Sequence, residues 1–132
     1  PCAIDAKNQK EKKDYGVFLS IDSSQIKKLY GYRLVVIDAQ YFSAKDIRTL
    51  HKKGVKVYTY LNVGSIENFR DYYKKYEYLT IGTYENWEEE KWVDVSNKDW
   101  QKFMGKLSKK LLKKGSTIMQ RQRKILKDWP KY

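Results

Sequence analysis

Polar and ionisable side chains crowd the end of a predicted strand in the middle of the chain. Residues 55–63 (VKVYTYLNV) are rich in β-branched and aromatic residues and follow a Lys-Lys-Gly stop, which predicts a buried strand. Around its end lie Asn62, Ser65, Glu67, Asn68 and Arg70. In parallel sheets the carboxyl ends of the strands open onto a crevice or barrel mouth, so loops there often bind ligands or perform chemistry.

A plainer interpretation of the same residues stays open. Gly64 and Ser65 are also typical of a turn, with Ser65 as the N-cap of a helix that starts at Ile66. Glu67 would then lie near the positive end of the helix, with Arg70 as its surface partner three residues on.

A second carboxylate ends an earlier predicted strand. Residues 33–38 (RLVVID) form a continuous apolar run that ends at Asp38, as in parallel strands covered on both faces. A carboxylate at the end of a buried strand is costly unless it is solvated, paired or hydrogen-bonded. Asp38 is therefore either a site residue or a helix or turn cap.

The order of the predicted elements indicates the fold. Strands at 15–20, 33–38 and 55–63 alternate with a short helix after residue 24 and a clear helix at 43–53, which Gly54 ends. A fourth strand at 92–95 (WVDV) precedes a helix at 96–114. This alternation of strands and helices predicts an α/β fold with parallel strands and right-handed crossover helices. The fold is either a partial TIM-type barrel of about four strands or an open doubly wound sheet.

Composition limits the class of protein. The 132 residues, 41% hydrophobic, suffice for one globular core. We expect an exposed arm at 1–14, the α/β domain at 15–114 and a basic, helical segment at 115–132. No run approaches the roughly 20 apolar residues of a membrane span. With one histidine, His51, and one cysteine, Cys2, we expect no metal site, no cofactor and no internal disulfide.

The net charge of +12 lies mostly in the C-terminal quarter. Residues 1–99 contain 17 Lys and Arg against 15 Asp and Glu, whereas residues 100–132 contain 11 against 1. These basic residues could follow a phosphate backbone, but a solvated basic helix explains them as well. Nucleic-acid binding is therefore the less favoured alternative.

An aromatic segment favours a sugar ligand. Six aromatic residues lie between residues 71 and 87: Tyr72, Tyr73, Tyr76, Tyr78, Tyr84 and Trp87. Five glutamates at 77, 85 and 88–90 lie among them and would repel a phosphate backbone. Aromatic faces beside carboxylates suit sugar rings, and cationic amino sugars suit them better still.

Several motifs, in order, resemble the N-terminal half of glycoside hydrolase family 114, the endo-α-1,4-polygalactosaminidase-like proteins. They are YGVFLS, LVVIDAQYF, a helix ending in KKG, VKVYTYLNVGSIENFR and W-x4-WVDV, within about residues 15–114. The most specific is Y-x3-G-x2-E-x2-R, formed by Tyr60, Gly64, Glu67 and Arg70 after the strand that ends at Asp38.

The resemblance implies a TIM-like barrel, extracellular or at the cell surface, that hydrolyses galactosamine-containing polysaccharide through acidic residues without a metal. Glycoside hydrolysis uses two carboxyl groups on either side of the scissile bond, and Asp38 and Glu67 are the catalytic candidates. Arg70 would orient Glu67 or keep a carboxylate ionised. The residues expected to bind substrate are Asp38, Tyr60, Asn62, Glu67, Arg70, Trp87 and Asp94.

The sequence departs from the family pattern after the last helix. The family continues with a strand of the type Asp-Gly-hydrophobic-Asp-Asn, whose final Asp the resemblance marks as catalytic. Here residues 115–118 read GSTI, and the next acid is Asp128. We expect an incomplete catalytic pair and a truncated, rearranged or frameshifted end. A non-catalytic carbohydrate-binding or interaction module is the alternative. An open four-stranded edge also predicts self-association, which light scattering tests.

Overall fold

The computed structural model describes residues 11–118. They form two compact units, the first made of residues 11–60 with Lys113–Thr117 and the second of Leu61–Leu112 with Ile118. Residues 1–10, with Cys2 and most of the predicted arm, lie outside the described part. So do residues 119–132, most of the predicted C-terminal helix.

The first unit is built on a parallel sheet. Strands β1 (Lys13–Phe18), β2 (Tyr32–Ile37) and β3 (Lys56–Thr59) pair in parallel, and the two-residue β7 (Thr117–Ile118) lies beside β3 in the order β1-β2-β3-β7. β1 begins at Lys13, inside the segment predicted as an arm. Self-association through the sheet edges stays a prediction.

The crossover connections begin and end at the predicted signals. A 3-10 helix at Ser23–Leu29 starts at Asp22, whose carboxylate accepts the Ser24 N–H. Helix α1 (Ala44–Lys52) joins β2 to β3 and starts with a capping box between Ser43 and Asp46. These local signals depend on neighbouring residues only, so the sequence alone reveals them.

Gly115 closes the first unit at a backbone conformation that other residues rarely adopt. Its φ is +100°, and a Cβ atom there would lie 3.3 Å from the side chains of His51 and Ile47. We expect Gly115→Ala to lower the free energy of unfolding by about 1–2 kcal/mol. Gly31→Ala is the control, because no heavy atom lies within 4 Å of its Cβ position. Urea denaturation measures both, and equal stability of the two variants would contradict this reason.

The second unit is an antiparallel sheet with two helices. Strands β4 (Ser65–Glu67), β5 (Thr80–Tyr84) and β6 (Trp87–Val93) lie in the order β4-β6-β5. Between β4 and β5 lie the four-residue helix α2 (Tyr73–Tyr76) and a 3-10 turn at Glu77–Leu79. Helix α3 (Lys98–Lys113) follows β6 and buries Trp100, Met104, Leu107 and Leu111 at helical spacing.

The antiparallel sheet corrects two predictions of local structure. Residues 65–67 form a strand, so the alternative of a helix starting at Ile66 was wrong. Ile66 is fully buried and pairs with β6, and this pairing replaces a helical turn. The strand predicted at 92–95 is the end of the longer β6 and is not parallel. The charged residues of β6 suit an antiparallel ribbon with one solvated face.

Within residues 11–118, no helix combines the length and the apolar character that crossing a membrane requires.

Candidate active site

Asp38 lies at the carboxyl end of β2 and caps the turn that follows. The residue is 3% exposed, and its carboxylate accepts the Gln40 N–H at 3.1 Å, at the start of a short 3-10 helix, Ala39–Tyr41. The neighbouring Ala39 N–H donates to the Thr59 hydroxyl at 3.1 Å. Asp38 is thus a turn cap at a strand end, as one of the two interpretations expected, and its part in a binding or catalytic site stays a prediction.

Tyr60 follows β3 in the same unit. Its N–H donates to the Ile37 carbonyl at 2.8 Å, so the chain stays alongside β2 for one residue beyond β3. The Thr59 hydroxyl donates to the Tyr60 carbonyl at 2.9 Å. The ends of β2 and β3 therefore lie side by side, as expected for neighbouring parallel strands.

Glu67 and Arg70 form a buried, two-pronged ion pair in the second unit. The Arg70 Nη2 lies 3.1 Å from Glu67 Oε1, and Nε lies 3.3 Å from Oε2. Glu67 is 4% exposed and Arg70 7%. Such forked guanidinium–carboxylate contacts fix geometry as well as charge. The alternative of a surface pair is thus excluded.

Asn62 links the start of β4 to β6. Its Nδ2 donates to Ser65 Oγ at 2.6 Å and to Glu90 Oε1 at 2.9 Å, and its Oδ1 accepts the Ser65 N–H at 3.3 Å. Both Nδ2 hydrogens and the carbonyl oxygen are therefore engaged. Asn62 thus orients the Glu90 side chain through this hydrogen bond.

Glu90 is the residue that sequence reasoning missed. It lies directly opposite Glu67 on the antiparallel pair β4–β6. Burial raises the pKa of Glu90, and the negative charge of Glu67 raises it further, while Asn62 and Arg70 act in the opposite direction. The run of three glutamates at 88–90 gave no means of choosing one, since the choice depends on which strand lies opposite. We call Asn62, Ser65, Glu67, Arg70 and Glu90 the polar cluster.

Two predicted site residues lie outside the polar cluster. Trp87 begins β6 with its side chain 63% exposed. Asp94 accepts hydrogen bonds from the backbone N–H and the hydroxyl of Ser96, so its carboxylate stabilises the turn before α3. The structure thus brings together Asn62, Glu67 and Arg70. Asp38 and Tyr60 belong to the other unit, and the convergence of Asp38 with Glu67 stays a prediction.

Within residues 11–118, no three His, Cys, Asp or Glu side chains are grouped as metal ligands would be.

A family model identifies the chain. The model of Glycoside-hydrolase family GH114 matches residues 3–117, which is most of the sequence. The chain belongs to family GH114. A search of curated proteins gives no match.

Solved structures give the same fold for this GH114 chain. The glycoside hydrolase domain of PelA from Pseudomonas aeruginosa has a TM-score of 0.63 at 15% identity, covering 83% of this chain and 44% of that one. Aspergillus fumigatus Ega3 in complex with galactosamine has a TM-score of 0.63 at 21% identity, covering 80% and 41%. The α-galactosidase TtGalA from Thermus thermophilus has a TM-score of 0.59 at 11% identity, covering 82% and 30%.

These structures are TIM-barrel glycoside hydrolases, and the chain spans less than half of their length. Identities this low show the fold alone. The predicted family and the predicted partial barrel with parallel strands are both confirmed.

Proposed function

We propose that this GH114 domain binds galactosamine-containing polysaccharide and that the polar cluster of the second unit contributes to the binding site. The observation that carries the proposal is the buried Glu67–Arg70 pair with a second carboxylate, Glu90, directly opposite. Burying charged side chains costs desolvation free energy. Buried, electrostatically perturbed groups of this kind are common at functional sites, which supports a ligand-binding role.

An amino sugar is a suitable ligand for this charge pattern. The cluster contains two carboxylates and one guanidinium, so with all three ionised its net charge is −1. A sugar ammonium is attracted by that charge, whereas a phosphate or sulfate group is repelled. Ega3, which has a similar fold, was solved in complex with galactosamine, and this supports the choice of sugar.

Efficient hydrolysis is not part of the proposal. Strand β7, Thr117–Ile118, has no acidic residue at the place where the family pattern has its Asp-ended strand. Glycoside hydrolysis requires two carboxyl groups at the scissile bond. We therefore propose binding with an incomplete catalytic pair. The extracellular or cell-surface location stays a prediction from the family.

The test combines a binding and a cleavage assay with a soluble α-1,4-linked galactosamine oligomer. Isothermal titration calorimetry is expected to detect binding, and a reducing-end assay is expected to detect little or no cleavage. Cleavage that is lost in Glu67→Gln would favour a hydrolase, provided that circular dichroism shows a folded variant. No binding to the oligomer would contradict the proposed function.

A further inference from the structure

Glu90 has hydrogen-bonding capacity that the cluster leaves unused. Within residues 11–118, the hydrogen bond from Asn62 reaches Oε1 of Glu90 and none reaches Oε2. Both oxygens of Glu67, in contrast, are occupied by Arg70. Glu90 is half-buried, whereas Glu67 is buried. Of the two carboxylates, Glu90 is therefore the more exposed one, and it is the better candidate for contact with a ligand.

The groups around Glu90 favour a ligand that donates hydrogen bonds. Both Nδ2 hydrogens of Asn62 are already donated, and the Nε and Nη2 groups of Arg70 face Glu67. What Glu90 offers is a carboxylate oxygen, which while ionised accepts hydrogen bonds, donates none and has a negative charge. An ammonium group has three donors and no acceptor, so it matches this site, whereas a sugar hydroxyl is neutral and an acetamido group donates one N–H without charge.

Charge gives a second reason for a cationic group. Like charges directly opposite each other on neighbouring strands destabilise a sheet. Arg70 pairs with Glu67 and also lowers the pKa of Glu90, but the hydrogen bond that reaches the Glu90 carboxylate within residues 11–118 comes from a neutral amide, that of Asn62. A bound cation would relieve the remaining repulsion, and the raised pKa of Glu90 is consistent with that repulsion.

We propose that Glu90 is the specificity-determining residue of this site and recognises the free ammonium of a galactosamine unit over its N-acetylated form. The inference rests on the proposed function and names the group of the sugar that Glu90 recognises. Glu90 is a binding residue in this proposal, and it has no assigned part in bond cleavage.

The test compares two ligands and two matched variants. The ligands are a fully deacetylated galactosamine oligomer and its fully N-acetylated counterpart, titrated calorimetrically against the full chain. Glu90→Gln keeps the shape of the side chain and an acceptor for Asn62 but removes the charge. Glu89→Gln removes the same charge from the adjacent residue, which is exposed.

We expect the wild type to prefer the deacetylated oligomer, and Glu90→Gln to weaken that binding about tenfold or more, the worth of a charge-assisted hydrogen bond. Binding of the acetylated oligomer should change less than about twofold, since no ammonium is involved. Glu89→Gln should resemble the wild type with both ligands.

Three results would overturn the inference while the proposed function stands: Glu90→Gln binds the deacetylated oligomer like the wild type, it weakens both ligands equally, or Glu89→Gln weakens binding as much. The first result would show that Glu90 does not contact the ammonium group. The second would indicate a structural role for Glu90, and the third would indicate a general attraction of the oligomer by surface charge. A wild type that binds neither oligomer overturns the proposed function, and the inference with it.

Discussion

Arg70→Met is expected to lower the free energy of unfolding by about 3–5 kcal/mol, because it leaves the buried Glu67 carboxylate without its partner. Methionine keeps much of the volume of the arginine stem, so the loss arises mainly from the unpaired charge. Urea denaturation at pH 7, followed by tryptophan fluorescence, measures it.

Two further variants separate the buried charge from lost packing. Arg33→Met removes an exposed pair with Asp14, at 3.9 Å, and should cost less than about 1 kcal/mol. The double variant Glu67→Gln/Arg70→Met has no lone charge and should regain part of the stability lost in Arg70→Met. Equal costs for the Arg70 and Arg33 single variants would show that the Glu67 carboxylate is solvated.

Trp100→Ala should cost about 3–5 kcal/mol, the range for removing a large aromatic side chain from a core. Trp100 is fully buried, and its ring lies 5.7 Å from that of Tyr76 and 5.8 Å from that of Phe103, centroid to centroid. Its indole N–H donates to the Val63 carbonyl at 2.9 Å. The substitution thus removes both the packing of the ring and the hydrogen bond to Val63, the residue that follows Asn62 of the polar cluster.

A milder variant keeps this prediction measurable if Trp100→Ala does not fold. Trp100→Phe retains a ring but leaves the Val63 carbonyl without its donor, and should cost about 1–3 kcal/mol. Trp87→Ala is the matched control, since that side chain is mostly exposed, and should change stability by no more than about 0.5 kcal/mol. A larger loss from Trp87 than from Trp100 would contradict the assignment of the core.

The parallel part of the fold was predictable because its signals are local. The apolar run before Asp38 predicts a covered strand, and Ser43 with Asp46 predicts the start of α1, where the structure has a capping box. Such signals involve residues within four positions of one another. The helix that ends at Gly54 follows the same rule.

The antiparallel part was predicted poorly because its pairing is not local. Residues 65–67 have a Ser and a Glu at positions that also suit a helix start, and only the arrival of β6 from residues 87–93 makes them a strand. The same pairing singles out Glu90 among three consecutive glutamates. No spacing rule in the sequence brings residue 90 opposite residue 67.

The sequence by itself determined the family, the parallel strand–helix order and the pairing of Glu67 with Arg70, since each depends on residue types at short, fixed spacing. The tertiary structure decided that this pair is buried, that Asn62 braces Glu90, and that Glu90 faces Glu67. Burial and strand pairing depend on segments more than twenty residues apart. The free energy of a charged group depends on its burial, so only the folded chain distinguishes a surface ion pair from a buried one.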